Sequence, residues 1–166
     1  MKIIKNCLIK EDFEKIINTI YSPYFSWYRN NGVNFKNDGF LQFTHSLYAD
    51  FTINSNNFNI LDPLIKIINP LSLIRVKVNL ITKTEKIVEH GYHHDDIYKT
   101  SNAILYINTC NGYTKFENGE IVKSEENKLL IFDNNLKHTG SSCTDKNERI
   151  IININFIKKT LLNNDS

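Results

Sequence analysis

Leu73-Ile74-Arg75-Val76-Lys77-Val78-Asn79-Leu80 alternates without interruption. Ile74, Val76, Val78 and Leu80 fall on one side, and Arg75, Lys77 and Asn79 on the other. In an extended chain, residues two apart share a face. This β-branched run therefore predicts a strand with one apolar and one polar face. Downstream the same character recurs at residues 103–108, 129–132 and 149–157. Asn118-Gly119 is a hairpin signal joining 113–117 to 120–123, and Asn111-Gly112 reads as a second. Asp133-Asn134-Asn135 is a turn.

Upstream the pattern is mixed. Phe13, Ile16, Ile17 and Ile20 fall at helical spacing over residues 10–20, with Glu11 and Asp12 suiting the first turn and Pro23 ending the element. Phe58, Leu61, Leu64, Ile65 and Ile68 predict a second helix, closed by Asn69-Pro70. Residues 2–9 and the aromatic 24–28 read as strands, and Asn30-Asn31-Gly32 as a turn. Residues 40–48 alternate, with Phe43, His45 and Leu47 opposite Gln42, Thr44 and Ser46. Residues 161–166 read as a frayed tail. Helices followed by seven or eight antiparallel-type strands predict an α+β chain with a β-sandwich or barrel core.

Composition narrows the function classes. At 166 residues, with 41% hydrophobic and 23% charged, the chain suits one domain over 1–166 with a sizeable core. A net charge of +2 offers no footprint for nucleic acid and no polybasic membrane patch. No apolar run is long enough to span a bilayer, and charges interrupt the first residues, so neither a membrane segment nor a secretory signal is expected. Cys7, Cys110 and Cys143 are odd in number and far apart in sequence, which suggests reduced thiols in a cytoplasmic setting.

The chemistry concentrates in Glu89-His90-Gly91-Tyr92-His93-His94-Asp95-Asp96. Imidazoles and carboxylates so dense must be solvated, paired or metal-bound. His93 and Asp95, two apart, would share a strand face; so would His94 and Asp96. His45 and His138 are the two histidines outside the cluster. Two histidines and a carboxylate form the facial triad of non-haem Fe(II) oxygenases. His45 sits in an alternating strand and reads as a hydrogen-bonded histidine. Arg75 and Lys77 read as a solvated face, Tyr106 and Tyr113 as packing residues, and Cys110 and Cys143 as structural thiols. Arg149 opens the last strand pattern. A buried arginine needs a carboxylate partner, and a dicarboxylate ligand would serve through a bidentate bond.

Several stretches together resemble a known family: Tyr92-His93-His94-Asp95, residues 103–109 with Asn111-Gly112-Tyr113-Thr114, Leu130-Ile131-Phe132-Asp133 leading to Lys137-His138-Thr139-Gly140, and Arg149-Ile150-Ile151. From about residue 71 to 157 the chain resembles the Fe(II)/2-oxoglutarate-dependent oxygenases, most closely the prolyl-4-hydroxylase-like branch of bacteria and phages. The first 70 residues match loosely, through Phe43-Thr44-His45 and the Trp27 region. The resemblance implies a double-stranded β-helix, or jelly roll, with flanking N-terminal helices. It implies that His93, Asp95 and His138 ligate Fe(II), with Tyr92 and Arg149 favouring this pair over His94 and Asp96. It implies that Arg149 binds the distal carboxylate of 2-oxoglutarate, and it points to Asn79 or Tyr106 for further hydrogen bonds to that cosubstrate. O2 is the co-reactant and ascorbate a candidate reductant. The implied activity is hydroxylation of a C–H bond, with a protein or peptide side chain such as proline preferred over a small molecule, in the cytoplasm or a viral host's cytoplasm. The rival readings are a jelly-roll binding or structural module of phage type with a vestigial metal site, and a cupin-like metalloenzyme that does not use 2-oxoglutarate.

Overall fold

The computed structural model describes residues 1–33, 40–95 and 100–159. Asp96 and the 161–166 tail lie outside the described residues. In chain order the elements are β1 (Lys2–Ile4), α1 (Lys10–Ile20), β2 (Tyr28–Asn31), β3 (Leu41–Ala49), β4 (Thr52–Ile53), α2 (Asp62–Ile68), β5 (Pro70–Thr82), β6 (Ser101–Tyr106), β7 (Tyr113–Phe116), β8 (Ile121–Lys123), β9 (Lys128–Asp133), β10 (His138–Gly140) and β11 (Glu148–Lys158).

The alternating run of residues 73–80 lies inside β5, at the middle of the larger sheet. That sheet is antiparallel in the order β1-β9-β6-β11-β5-β3-β2, with β4 beside β3. A smaller sheet runs β10-β7-β8. The two faces of β5 and β11 separate two cores. Val76 and Val78 of β5, with Ile150, Ile152, Ile154 and Phe156 of β11, pack under α1 and α2 through Phe13, Ile16, Ile20 and Leu64. The opposite face belongs to the space between the sheets. There Ile104, Tyr106, Phe116, Leu130, Phe132 and Ile151 form a second cluster. Two facing antiparallel sheets with helices outside the larger one make a double-stranded β-helix.

Several local expectations needed correction. The 2–9 strand stops at Ile4, because Asn6 turns the chain at positive φ and Asn127 then clamps Leu8 with two hydrogen bonds, at 3.0 and 2.9 Å. In the aromatic 24–28 stretch only Tyr28 is strand; Phe25 and Trp27 turn into the core instead. Asn30 and Asn31, read as a turn, extend that strand. The second helix is broken into a 3-10 turn, Phe58–Leu61, and α2, with Pro63 in the first turn of α2 and Asn69 closing it in the left-handed conformation. Asn118-Gly119 does join β7 to β8, with Gly119 at φ +90°. Asn111-Gly112 is not a hairpin, since β6 and β7 belong to different sheets.

Candidate active site

The cluster segment runs beside β10 as an irregular fourth strand of the small sheet. His93 and His138 face each other across it and exchange both backbone hydrogen bonds, at 3.0 and 3.1 Å. That pairing fixes the two rings side by side, with centroids 4.7 Å apart. Each Nδ1 lies 3.4 Å from a backbone carbonyl, of Gly91 and of Leu136 respectively. A proton on Nδ1 leaves the lone pair on Nε2. Both Nε2 atoms turn toward Asp95, at 3.4 Å from Oδ1 for His93 and 3.8 Å from Oδ2 for His138. One ligand atom from each of the three residues lies within 4.8 Å of the others. Burial pushes the His138 imidazole down, with the Asp95 carboxylate opposing, so the ring is held neutral as a metal ligand requires.

Asp95 is held by a chain of asparagines. Asn153 and Asn155 on β11 donate to Oδ2 at 3.1 and 3.2 Å. Asn155 also donates to Asn102 at 2.7 Å, and Asn102 to Asn134 at 3.3 Å. Asn134 in turn accepts from the backbone N–H of Asp95 at 3.1 Å. Burial raises the Asp95 carboxyl, but the neighbouring His93 and His138 side chains and the Asn153 amide outweigh it and hold the group well below the usual carboxylate range. Sequence reading missed this network. Its signal was Asn at alternate positions in an otherwise apolar strand, Ile152-Asn153-Ile154-Asn155. Outer-sphere partners typically change metal affinity 10–100-fold. Asn155→Leu is therefore expected to weaken Mn(II) binding by about tenfold or more, read by calorimetry on a protein whose circular dichroism is unchanged.

Arg149 is 1% exposed. Its Nε donates to Ser124 Oγ at 3.0 Å, Nη2 to Thr114 Oγ1 at 3.2 Å and Nη1 to the Ser141 carbonyl at 3.4 Å. The Tyr106 ring lies 5.6 Å from the guanidinium carbon. Among the described residues no carboxylate comes within 4.0 Å of Arg149. Glu148, its neighbour in sequence, instead accepts from the Tyr21 hydroxyl at 3.4 Å. Burial pushes the guanidinium down, with Tyr106 chief among the opposing groups. Gly112 makes room for the arginine: a Cβ there would meet Arg149 Cδ and the Ser142 carbonyl at 2.7 Å. That close approach is the reason for the glycine. Gly112→Ala is expected to cost about 1–3 kcal/mol of stability by overpacking and to weaken 2-oxoglutarate binding, both read from melting curves with and without ligand.

A cavity of about 240 Å³ contains the triad and reaches Arg149. Asn79 lines it, and its buried Oδ1 has no hydrogen-bond partner. Tyr106 does not line it; it is fully buried behind Arg149 and donates to Thr114 at 2.9 Å, so it positions the arginine. His94 is exposed at the rim, with Nδ1 2.7 Å from the Asn134 carbonyl. His45 is spent on Ser26 and Ser55, at 2.6 and 2.8 Å, and stacks on Phe25. Arg75 and Lys77 are not a solvated face: both line the cavity. Cys110 and Cys143, far apart in sequence, bring their sulfurs close together beside Asp145.

The residues present fit a divalent ion and a dicarboxylate. Two imidazoles and one carboxylate suit a non-haem Fe(II) site. The uncompensated buried guanidinium and the orphaned Asn79 oxygen both call for a polar ligand.

No family model and no curated protein matches the sequence. Solved structures do match. A Trichoplax adhaerens prolyl hydroxylase, solved with a hypoxia-inducible-factor peptide, aligns with TM-score 0.69 and 13% identity over 95% of this chain and 83% of its own. A viral collagen prolyl hydroxylase from Paramecium bursaria Chlorella virus-1 aligns with TM-score 0.58 and 11% identity over 95% and 90%. The α-ketoglutarate-dependent epimerase SnoN of nogalamycin biosynthesis aligns with TM-score 0.66 and 14% identity over 95% and 76%. The fold is that of the 2-oxoglutarate/Fe(II) oxygenases.

Proposed function

We propose that this protein is a 2-oxoglutarate- and Fe(II)-dependent oxygenase that hydroxylates a C–H bond. The observation that carries the reading is Arg149. It is buried, lacks a carboxylate partner among the described residues, and lines the same cavity as the His93, Asp95 and His138 triad. A vestigial metal site in a structural module has no need of such a cation.

His93, Asp95 and His138 would hold Fe(II) and leave three of its six positions free. When bound, the ion and 2-oxoglutarate supply O2 activation, with the cosubstrate oxidised to succinate and CO2. The chain's own part is orientation and exclusion. Arg149, held by Ser124, Thr114 and Ser141, takes the distal carboxylate, and Tyr106 braces Thr114. Asn153 and Asn155 keep Asp95 ionised and aimed. Ile81, Ile104 and Ile151 supply apolar lining of the same cavity.

Succinate release on adding Fe(II), ascorbate and 2-oxoglutarate tests this, since uncoupled turnover registers without the substrate. Metal binding with no succinate would favour the jelly-roll module. For the substrate, a peptidyl proline is the first choice, supported by the fold shared with two prolyl hydroxylases. SnoN shares the fold too, so small molecules belong in the same screen. Near-neutral net charge argues against a nucleic acid. A gain of one oxygen on a nucleobase and on no peptide would reverse that preference.

A further inference from the structure

Among its described lining residues the charges of the cavity do not cancel. Arg75, Lys77 and Arg149 face one carboxylate, Asp95, among its described lining residues. A divalent ion adds two positive charges and 2-oxoglutarate removes two, leaving an excess of two. Arg149 is answered by the distal carboxylate. Arg75 is engaged: its Nε donates to Asn155 at 3.0 Å, and Nη2 lies 3.8 Å from Asp95. Lys77 has no carboxylate within 4.0 Å among the described residues. Burial pushes its ammonium down, and Arg75 beside it adds to that, with Asp95 opposing.

Register places this cation beside the triad. Lys77 is the Cα partner of Asn153, the residue that donates to Asp95, whereas Arg149 pairs with Ile81 four residues further along β5. Lys77 and Arg75 therefore stand on the metal's side of the cavity, away from the cosubstrate's distal carboxylate. We infer that Lys77, backed by Arg75, binds an anionic group of the substrate, a carboxylate or a phosphate, close to the carbon that is oxidised. This rests on the oxygenase reading. It narrows the substrate to one whose reactive C–H bond lies near a negative charge, such as a peptide with an acidic neighbour or an acidic small molecule.

The test uses the full chain loaded with Mn(II) and 2-oxoglutarate, so that Arg149 is already occupied. Loading is measured first. If neither binds, the oxygenase reading fails, and this inference with it. On the loaded protein, calorimetry follows inorganic phosphate, N-acetylglycine and the neutral N-acetylglycinamide. At least one anion is expected to bind about tenfold or more tighter than the amide, as charge-assisted hydrogen bonds would give. Lys77→Gln should remove that preference, and Lys77→Arg should keep it. Whichever anion binds tighter identifies the group as phosphate or carboxylate. Equal binding of anions and amide, or an anion preference that survives Lys77→Gln, would overturn the inference while leaving the oxygenase reading intact.

Discussion

Replacing His138 with alanine is expected to abolish succinate release while leaving the fold intact. His138 supplies one of only two imidazoles at the triad, and its ring is 4% exposed between Phe132 and His93. Without it, an ion would keep one nitrogen and one carboxylate, too few to compete with water. The backbone bridge to His93 uses main-chain atoms alone and survives the substitution. Losing the ring leaves a partly wet hollow at the cavity wall, so the cost should stay near the lower end of the ~2–5 kcal/mol seen for large-to-alanine changes in cores. Turnover should fall by at least two orders of magnitude, with Mn(II) binding lost in parallel. Full activity in this variant would remove His138 from the metal site.

Arg149→Leu separates binding from folding. A truncated buried ion pair or charged hydrogen bond typically costs ~2–5 kcal/mol of binding, and each ~1.4 kcal/mol is tenfold. Affinity for 2-oxoglutarate should therefore fall by about two orders of magnitude. Stability should change little. Leucine removes a buried charge that has no carboxylate within 4.0 Å among the described residues, which offsets the hydrogen bonds it leaves unmade to Ser124, Thr114 and Ser141. Arg149→Lys should recover part of the affinity, because it keeps the charge but not the two-pronged geometry. If Arg149 were a structural residue, the melting temperature would collapse and the affinity of the folded fraction would not move.

The larger sheet was legible because β5 alternates strictly and β11 is a long β-branched run. What alternation cannot give is which face meets a cavity. Arg75 and Lys77 looked like a solvated face, yet both faces of β5 are covered, one by helices and the other by the small sheet. Asn153 and Asn155 were hidden for the same reason, since they read as ordinary strand residues until Asp95 arrived from 58 and 60 positions away. Gly112 looked like a hairpin glycine beside Asn111. Its real constraint, the arginine lying across it, comes from a residue 37 positions later that no local pattern contains. The triad itself was readable because histidine is scarce in this chain and the family resemblance favoured His93 and Asp95 over His94 and Asp96. With five histidines in all, few combinations were possible.

The most direct measurement is a crystal structure with Mn(II) and 2-oxoglutarate soaked in. One ion should bind Nε2 of His93, a carboxylate oxygen of Asp95 and Nε2 of His138, with a carboxylate of the ligand on the Arg149 guanidinium. An ion held elsewhere, or a 2-oxoglutarate that leaves Arg149 untouched, would contradict the account.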